Sequence, residues 1–254
     1  MSVLMVSGTG TEIGKTVVTS AIAAAAVAAG RSVAVLKPAQ TGVGPQEPGD
    51  AAEAVRLAGS SVTAVELARY PEPLAPDTAA RRSGLATLSP ERIAEAAERL
   101  SRDHDLVLVE GAGGLLVRFD EAGNTLADVA GLLGAPTLLV AQAGLGTLSS
   151  TTLAAEALRT RGLTGLGVVV GSWPASPDLA ARCNLADLTK SSGLPLLGAV
   201  PEGSGTLAPD RFRAAAPTWL AEPLSGTWQA STFLATWPPP PYTPTPADPG
   251  PADA

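Results

Sequence analysis

Six short apolar runs recur along the chain, at Val3 to Val6, Ser32 to Leu36, Leu106 to Val109, Thr137 to Ala141, Gly167 to Val170 and Leu196 to Val200. None alternates cleanly between polar and apolar positions, which is the pattern of strands buried on both faces. Between them, helical spacing predicts helices over Lys15 to Ala29, Pro90 to Arg102, Thr147 to Arg161 and Asp178 to Ser192. Ser89 stands where it can cap the second of these, with Pro90 at the first helical position. Strands alternating with helices predict an α/β fold, a doubly wound and mostly parallel sheet with helices on both faces. Sites in such folds lie at the carboxyl ends of the strands.

After about Leu220 the pattern fails. The sequence predicts one packed domain over 1–222 and, over 223–254, a proline-rich tail without fixed structure, with Trp228, Phe233 and Trp237 able to dock weakly onto the body.

Composition narrows the chemistry. With 17 basic and 24 acidic residues the net charge is −7, which leaves no cationic surface for a nucleic-acid backbone or an anionic membrane. Cys183 is the sole cysteine and the chain opens on a strand pattern rather than a signal sequence, so a cytoplasmic protein is expected. Sulfur and imidazole metal centres are excluded in practice, and so is a serine, histidine and aspartate triad. His104 is the only histidine and falls at the amino end of a strand, where it is expected to face solvent. The chain takes arginine almost everywhere and keeps lysine at Lys15, Lys37 and Lys190 alone. A retained lysine marks a place for a compact ammonium rather than a planar fork.

"SGTGTEIGKT", residues 7–16, follows the first strand and opens the first helix. Five residues separate Gly8 from Gly14, one more than the common phosphate-loop spacing, but the order of strand, glycine loop and helix is the required one. Backbone N–H groups and the helix start can converge on a phosphate. Lys15 would then reach β- and γ-phosphate oxygens and the Thr16 hydroxyl would coordinate magnesium. "VLKPAQTG" places Lys37 at the end of the second strand, with Pro38 ending regular pairing there. The plain alternative is a surface lysine. "LVLVEGAGG" puts Glu110 at the end of the third predicted strand, where a buried carboxylate without a cation would be costly. Asp50, in "PGDAAEA", taken alone reads as a helix N-cap before a metal ligand.

Together, "GTGTEIGKT", "KPAQTG", "VEGAGG" and "AGLGTLSSTTLAAEALR" resemble the dethiobiotin synthetase family over residues 2–220, including the long loop spacing. The resemblance implies a phosphate-loop fold and an ATP- and magnesium-dependent ligase. Such an enzyme joins 7,8-diaminononanoate and carbon dioxide into dethiobiotin, ADP and phosphate through a phosphorylated carbamate. Within that family Lys37 and Lys15 would be catalytic, and Thr16, Asp50 and Glu110 would hold magnesium. The nucleotide would lie on Glu12, Ile13, Gly14, Lys15, Thr16 and Val17, on Asp50, on Glu110, Gly111, Ala112 and Gly113, and on Gly171, Ser172, Pro201, Glu202 and Gly203. Substrate would meet Thr11 and Thr41, and, across a homodimer interface, Gly144, Leu145, Gly146, Thr147 and Ser149. One departure stands out: relatives often carry an Asn-Asp pair where this chain has Gly171 and Ser172, so an amide that could read the base is missing.

A different class is a partitioning or positioning ATPase of the related deviant-loop kind, which switches dimerisation with nucleotide. Those proteins place a second lysine early in the loop, where this chain has Thr9 and Gly10. Amidoligases of the cobyrinate type carry a glutaminase domain that 254 residues would not hold.

Overall fold

The computed structural model describes residues 2–241. Seven parallel strands form one sheet in the order β3-β2-β4-β1-β5-β6-β7. The strands are β1 (Val3–Gly8), β2 (Val33–Thr41), β3 (Thr63–Tyr70), β4 (Leu106–Gly114), β5 (Thr137–Ala141), β6 (Gly165–Trp173) and β7 (Leu196–Pro201). The helices are α1 (Lys15–Ala28), α2 (Asp50–Ala58), α3 (Pro76–Ser83), α4 (Pro90–Asp103), α5 (Leu126–Leu133), α6 (Thr147–Thr160), α7 (Leu179–Ser192), α8 (Pro209–Ala215) and α9 (Ala230–Thr236). Strand order reverses on either side of β1, and the crevice at that switch point is where doubly wound sheets bind ligands.

The central strands bury both faces. Leu4, Val6, Leu108 and Val140 pack with α1, while Met5, Leu36, Val107 and Val109 pack with α4 and α5. The strand missed by the apolar pattern is β3, an edge strand whose residues are mostly half-exposed. Glu110 therefore lies in the fourth strand, not the third, and the strand runs on past it to Gly114. Pro38 ends pairing on one side only. The ladder with β4 stops at Leu36 opposite Val109, whereas β3 stays paired through Thr41 opposite Tyr70. A missing N–H spoils one ladder without touching the other.

His104 is half-buried. Its ring nitrogens meet the Leu100 carbonyl at 2.8 Å and the Thr63 hydroxyl at 2.9 Å, which ties α4 to β3. Cys183 lies half-buried in α7, as a helix residue.

Packing continues past residue 222, where the sequence alone places the end of the body. Trp228 is buried, and Phe233 of α9 lies between it and Trp173 with ring centroids 5.3 Å from each. Trp237 adds a third ring 6.0 Å from Trp173. Aromatic burial outweighs the poor helix content of this segment. Residues 242–254 of the expected tail lie outside the described residues. Replacing Trp228 by alanine should cost about 3 kcal/mol. A thermal melt should fall by roughly 6–12 °C for a chain of this size.

Candidate active site

Strand β1 delivers the chain into the glycine loop, where Thr9 donates its N–H to the Val140 carbonyl at 3.0 Å. Glu12 takes a left-handed conformation with φ 58°, and Gly14 follows with φ 92° as the N-cap of α1. A non-glycine residue held at positive φ is strained backbone, of the kind that collects at ligand clamps. The loop leans on β6 through backbone alone. A Cβ at Gly14 would lie 2.4 Å from the Gly171 carbonyl oxygen, and one at Gly171 would lie 2.0 Å from the Ile13 oxygen. Only paired glycines permit that approach.

Lys15 curls over the loop and donates to the Gly10 carbonyl at 2.7 Å. Burial, and after it the like charge of Lys37, bring the Lys15 ammonium below the ordinary lysine range. Lys37 is only 3 % exposed. Its Nζ lies 2.6 Å from Asp50 Oδ2 and 2.9 Å from Glu110 Oε1, and it donates to the Gly111 carbonyl at 3.1 Å. Burial opposes the charge, but the carboxylates of Glu110 and Asp50 outweigh it and hold the ammonium above the ordinary lysine range. The Thr16 hydroxyl donates to the same Glu110 oxygen at 2.9 Å. Sequence therefore leaves Lys37 open as a surface lysine and Asp50 open as an N-cap, and the structure decides both. Gly49 is the N-cap of α2, and Asp50, its first residue, turns its carboxylate to Lys37.

These groups open onto one cavity of about 790 Å³ at the switch point. From the loop, Thr11, Glu12, Lys15 and Thr16 line it; from β2, Lys37 and Thr41; from β4, Glu110, Ala112 and Gly113. Asp50, Gln40, Gly14 and Val17 line it too. Val43, Pro73, Leu74, Pro76 and Val117 give it an apolar lining, and the sequence singled out none of them. The proline-rich run "YPEPLAP" was the available signal.

Other predicted residues stand apart. Gly171 and Ser172 near the end of β6, with Pro201 at the end of β7 and Glu202 and Gly203 after it, do not line this cavity and form a rim beside the glycine loop. Glu202 donates its N–H to the Trp173 carbonyl at 2.8 Å, and a Cβ on Gly205 would lie 3.1 Å from Val17, so the rim closes against the start of α1. Ile13 is buried beneath the loop. Gly144, Leu145 and Gly146 precede α6 and do not line the cavity of their own chain. Asn184 clasps this loop, donating to the carbonyls of Ala143 and Gly144 at 3.0 and 2.9 Å. Leu145 is 82 % exposed and Ser149 is exposed, while Thr147 is fully buried.

A divalent cation fits the donor set. Glu110 Oε2 is buried without a hydrogen-bond partner, an unmet acceptor beside the Thr16 hydroxyl. Thr16, Asp50 and Glu110 offer hard oxygens, as magnesium requires. Among the described residues no group of three or more histidine, cysteine, aspartate and glutamate side chains forms a metal cluster.

A glycine loop opening a helix at the switch point of a parallel sheet, with two lysines and a carboxylate beside it, defines a phosphate-loop nucleotide enzyme. Solved structures support the fold alone. A ParA family ATPase from Chlorobium tepidum superposes with a TM-score of 0.54 at 14 % identity, covering 88 % of this chain and 96 % of that one. The MinC:MinD cell division complex of Aquifex aeolicus gives 0.53 at 12 % identity, covering 97 % and 99 %. A family described as an AAA domain matches residues 2–209. The ATP-dependent dethiobiotin synthetase BioD of Streptomyces coelicolor is 67 % identical over 233 residues, 92 % of this chain and 98 % of that protein. The enzyme of the same name from Rhodococcus jostii is 59 % identical over 234 residues, 92 % and 99 % of the two chains. This chain belongs to the ATP-dependent dethiobiotin synthetase family and is a ligase.

Proposed function

We propose that the chain joins 7,8-diaminononanoate and carbon dioxide at the expense of ATP, giving dethiobiotin, ADP and phosphate in the cytoplasm. One amine adds to carbon dioxide and loses a proton, forming a carbamate. A carbamate oxygen then attacks the γ-phosphorus and ADP leaves. The second amine attacks the carbamoyl carbon, phosphate departs, and the cyclic urea closes. Each step moves negative charge among oxygens and none needs a protein nucleophile, so positioning and electrostatics carry the catalysis.

The observation that carries this reading is the convergence of Lys15, Lys37, Thr16 and Glu110 on one cavity with an apolar lining. Lys15, freed from Gly10, and Lys37 supply the charge that the transferring phosphoryl group requires. The apolar lining suits the alkyl chain of the diamine. Magnesium held by Thr16, Asp50 and Glu110 would neutralise the β- and γ-phosphate oxygens when bound. A homodimer would bring the Gly144–Gly146 loop of a second copy to the substrate carboxylate. The exposure of Leu145 before α6 and of Leu153 within it supports such a contact.

The assay mixes protein, magnesium ATP, bicarbonate and diaminononanoate and seeks a cyclic urea by mass spectrometry. Phosphate release indifferent to the diamine but stimulated by DNA or lipid would instead support a dimer switch. Among the described residues no helix is long and apolar enough to cross a membrane.

Base selectivity should be loose, because Gly171 and Ser172 offer no amide to the base edge. Each missing hydrogen bond is worth about 0.5–1.5 kcal/mol, so other nucleoside triphosphates should support turnover within roughly tenfold of ATP. Initial rates with four nucleotides check this. A hundredfold preference for ATP would mean that backbone groups around Pro201 to Gly203 read the base.

A further inference from the structure

The KPAQTG stretch holds a polar residue that the proposed chemistry does not use. Gln40 is 5 % exposed and borders the cavity. Its Oε1 accepts the backbone N–H of Asp50 at 2.7 Å, and its Nε2 donates to the Thr41 carbonyl at 3.3 Å. The Asp50 donor fixes which way round the amide stands, since only oxygen can face it.

Helix α2 has no side-chain cap of its own, because its N-cap is Gly49. A Cβ at Gly49 would lie 2.7 Å from Gln40 Oε1 and 2.5 Å from Glu66 Oε1. Glycine there is what lets a side chain from the strand beneath reach the first N–H of the helix. The approach to α2 is held as well. Arg69 grips Glu66 at 2.7 and 2.9 Å and donates to the carbonyls of Gly44 and Glu47 at 2.8 and 2.6 Å. The loop is thus clamped from β3, while the helix start is clamped from β2. What the clamp sets is the Asp50 carboxylate, which stands one residue past Gly49 and 2.6 Å from Lys37.

We infer that Gln40 is a positioning residue: by capping α2 from the strand below, it fixes the Asp50 carboxylate where it meets both Lys37 and the divalent cation. This rests on the proposed role of Asp50 as a metal ligand. Side chains that hold a metal ligand in place are typically worth 10–100-fold in metal affinity. An ordinary helix cap, by contrast, changes stability without changing the site.

The test reads metal binding directly. Manganese affinity is measured by electron paramagnetic resonance in the presence of a non-hydrolysable ATP analogue, with no diamine present. Gln40→Leu should weaken manganese binding at least tenfold, and Gln40→Glu, which keeps the acceptor oxygen, should recover most of it. In an Asp50→Asn background Gln40→Leu should change affinity less than twofold, because the residue acts through Asp50. Wild-type affinity in a folded Gln40→Leu protein, with only a lower melting temperature, would overturn the proposal, as would a full tenfold loss in the Asp50→Asn background. Should the leucine variant fail to fold, Gln40→Met is read by the same criteria. If the wild-type protein binds manganese nucleotide but makes no cyclic urea, the proposed reaction falls while the comparison of variants still decides the role of Gln40.

Discussion

Replacing Lys37 by alanine is expected to lower kcat by about a thousandfold, the scale on which removing one charge-stabilising donor acts in a water-poor site. Two carboxylates and a carbonyl hold its ammonium in place. The same geometry predicts a second effect that the sequence does not. With Lys37 gone, Glu110 at 1 % exposure loses its counter-charge, and breaking a buried pair from one side costs about 3–5 kcal/mol. The melting temperature should fall together with the rate. Kinetics must therefore be read where circular dichroism shows the variant folded. Adding Glu110→Gln should restore much of the melting temperature and none of the turnover. A folded Lys37→Ala enzyme within tenfold of wild type would remove Lys37 from the mechanism.

The second large effect concerns a residue with no side chain. Gly171→Ala places a methyl group 2.0 Å from the Ile13 carbonyl oxygen, well inside contact distance. Either β6 or the glycine loop must move. The sheet is paired on both sides of β6, so the loop is the softer partner. Overpacking of this kind costs about 1–3 kcal/mol, and a displacement near 1 Å in a positioning loop can cost about a hundredfold in rate. We expect kcat/KM for ATP to fall by roughly two orders of magnitude, with nucleotide affinity measured by calorimetry falling in parallel. Unchanged affinity would mean that the loop does not depend on this contact. The result also bears on the base rim. At Gly171 the backbone of the loop occupies the space where a Cβ would begin.

Much of the fold is legible along the chain, because strands buried on both faces must be apolar throughout, and the central strands are. The glycine loop is legible for a related reason: its sharp turn, its lysine and its threonine lie within ten residues of one another. The strand β3 is not, since an edge strand alternates weakly and its residues Thr63, Glu66 and Arg69 look like a polar linker. Helix α9 is not legible either. Its seven residues carry no amphipathic repeat, and it holds its place through Phe233 against Trp173, some sixty positions earlier.

By itself, then, the sequence determined six of the seven strands, the four longest helices between them, the glycine turn and the kinds of charge that stand beside it. Only the tertiary structure decided that Lys37 is buried between Asp50 and Glu110, that Gln40 caps the helix carrying Asp50, that Gly171 bears the loop, and that the aromatic segment is part of the body. The reason is the range of the forces. Periodicity and glycine geometry act among neighbours in the chain and leave a written pattern, while ion pairing, backbone contact and aromatic packing act between residues that only the folded sheet brings together.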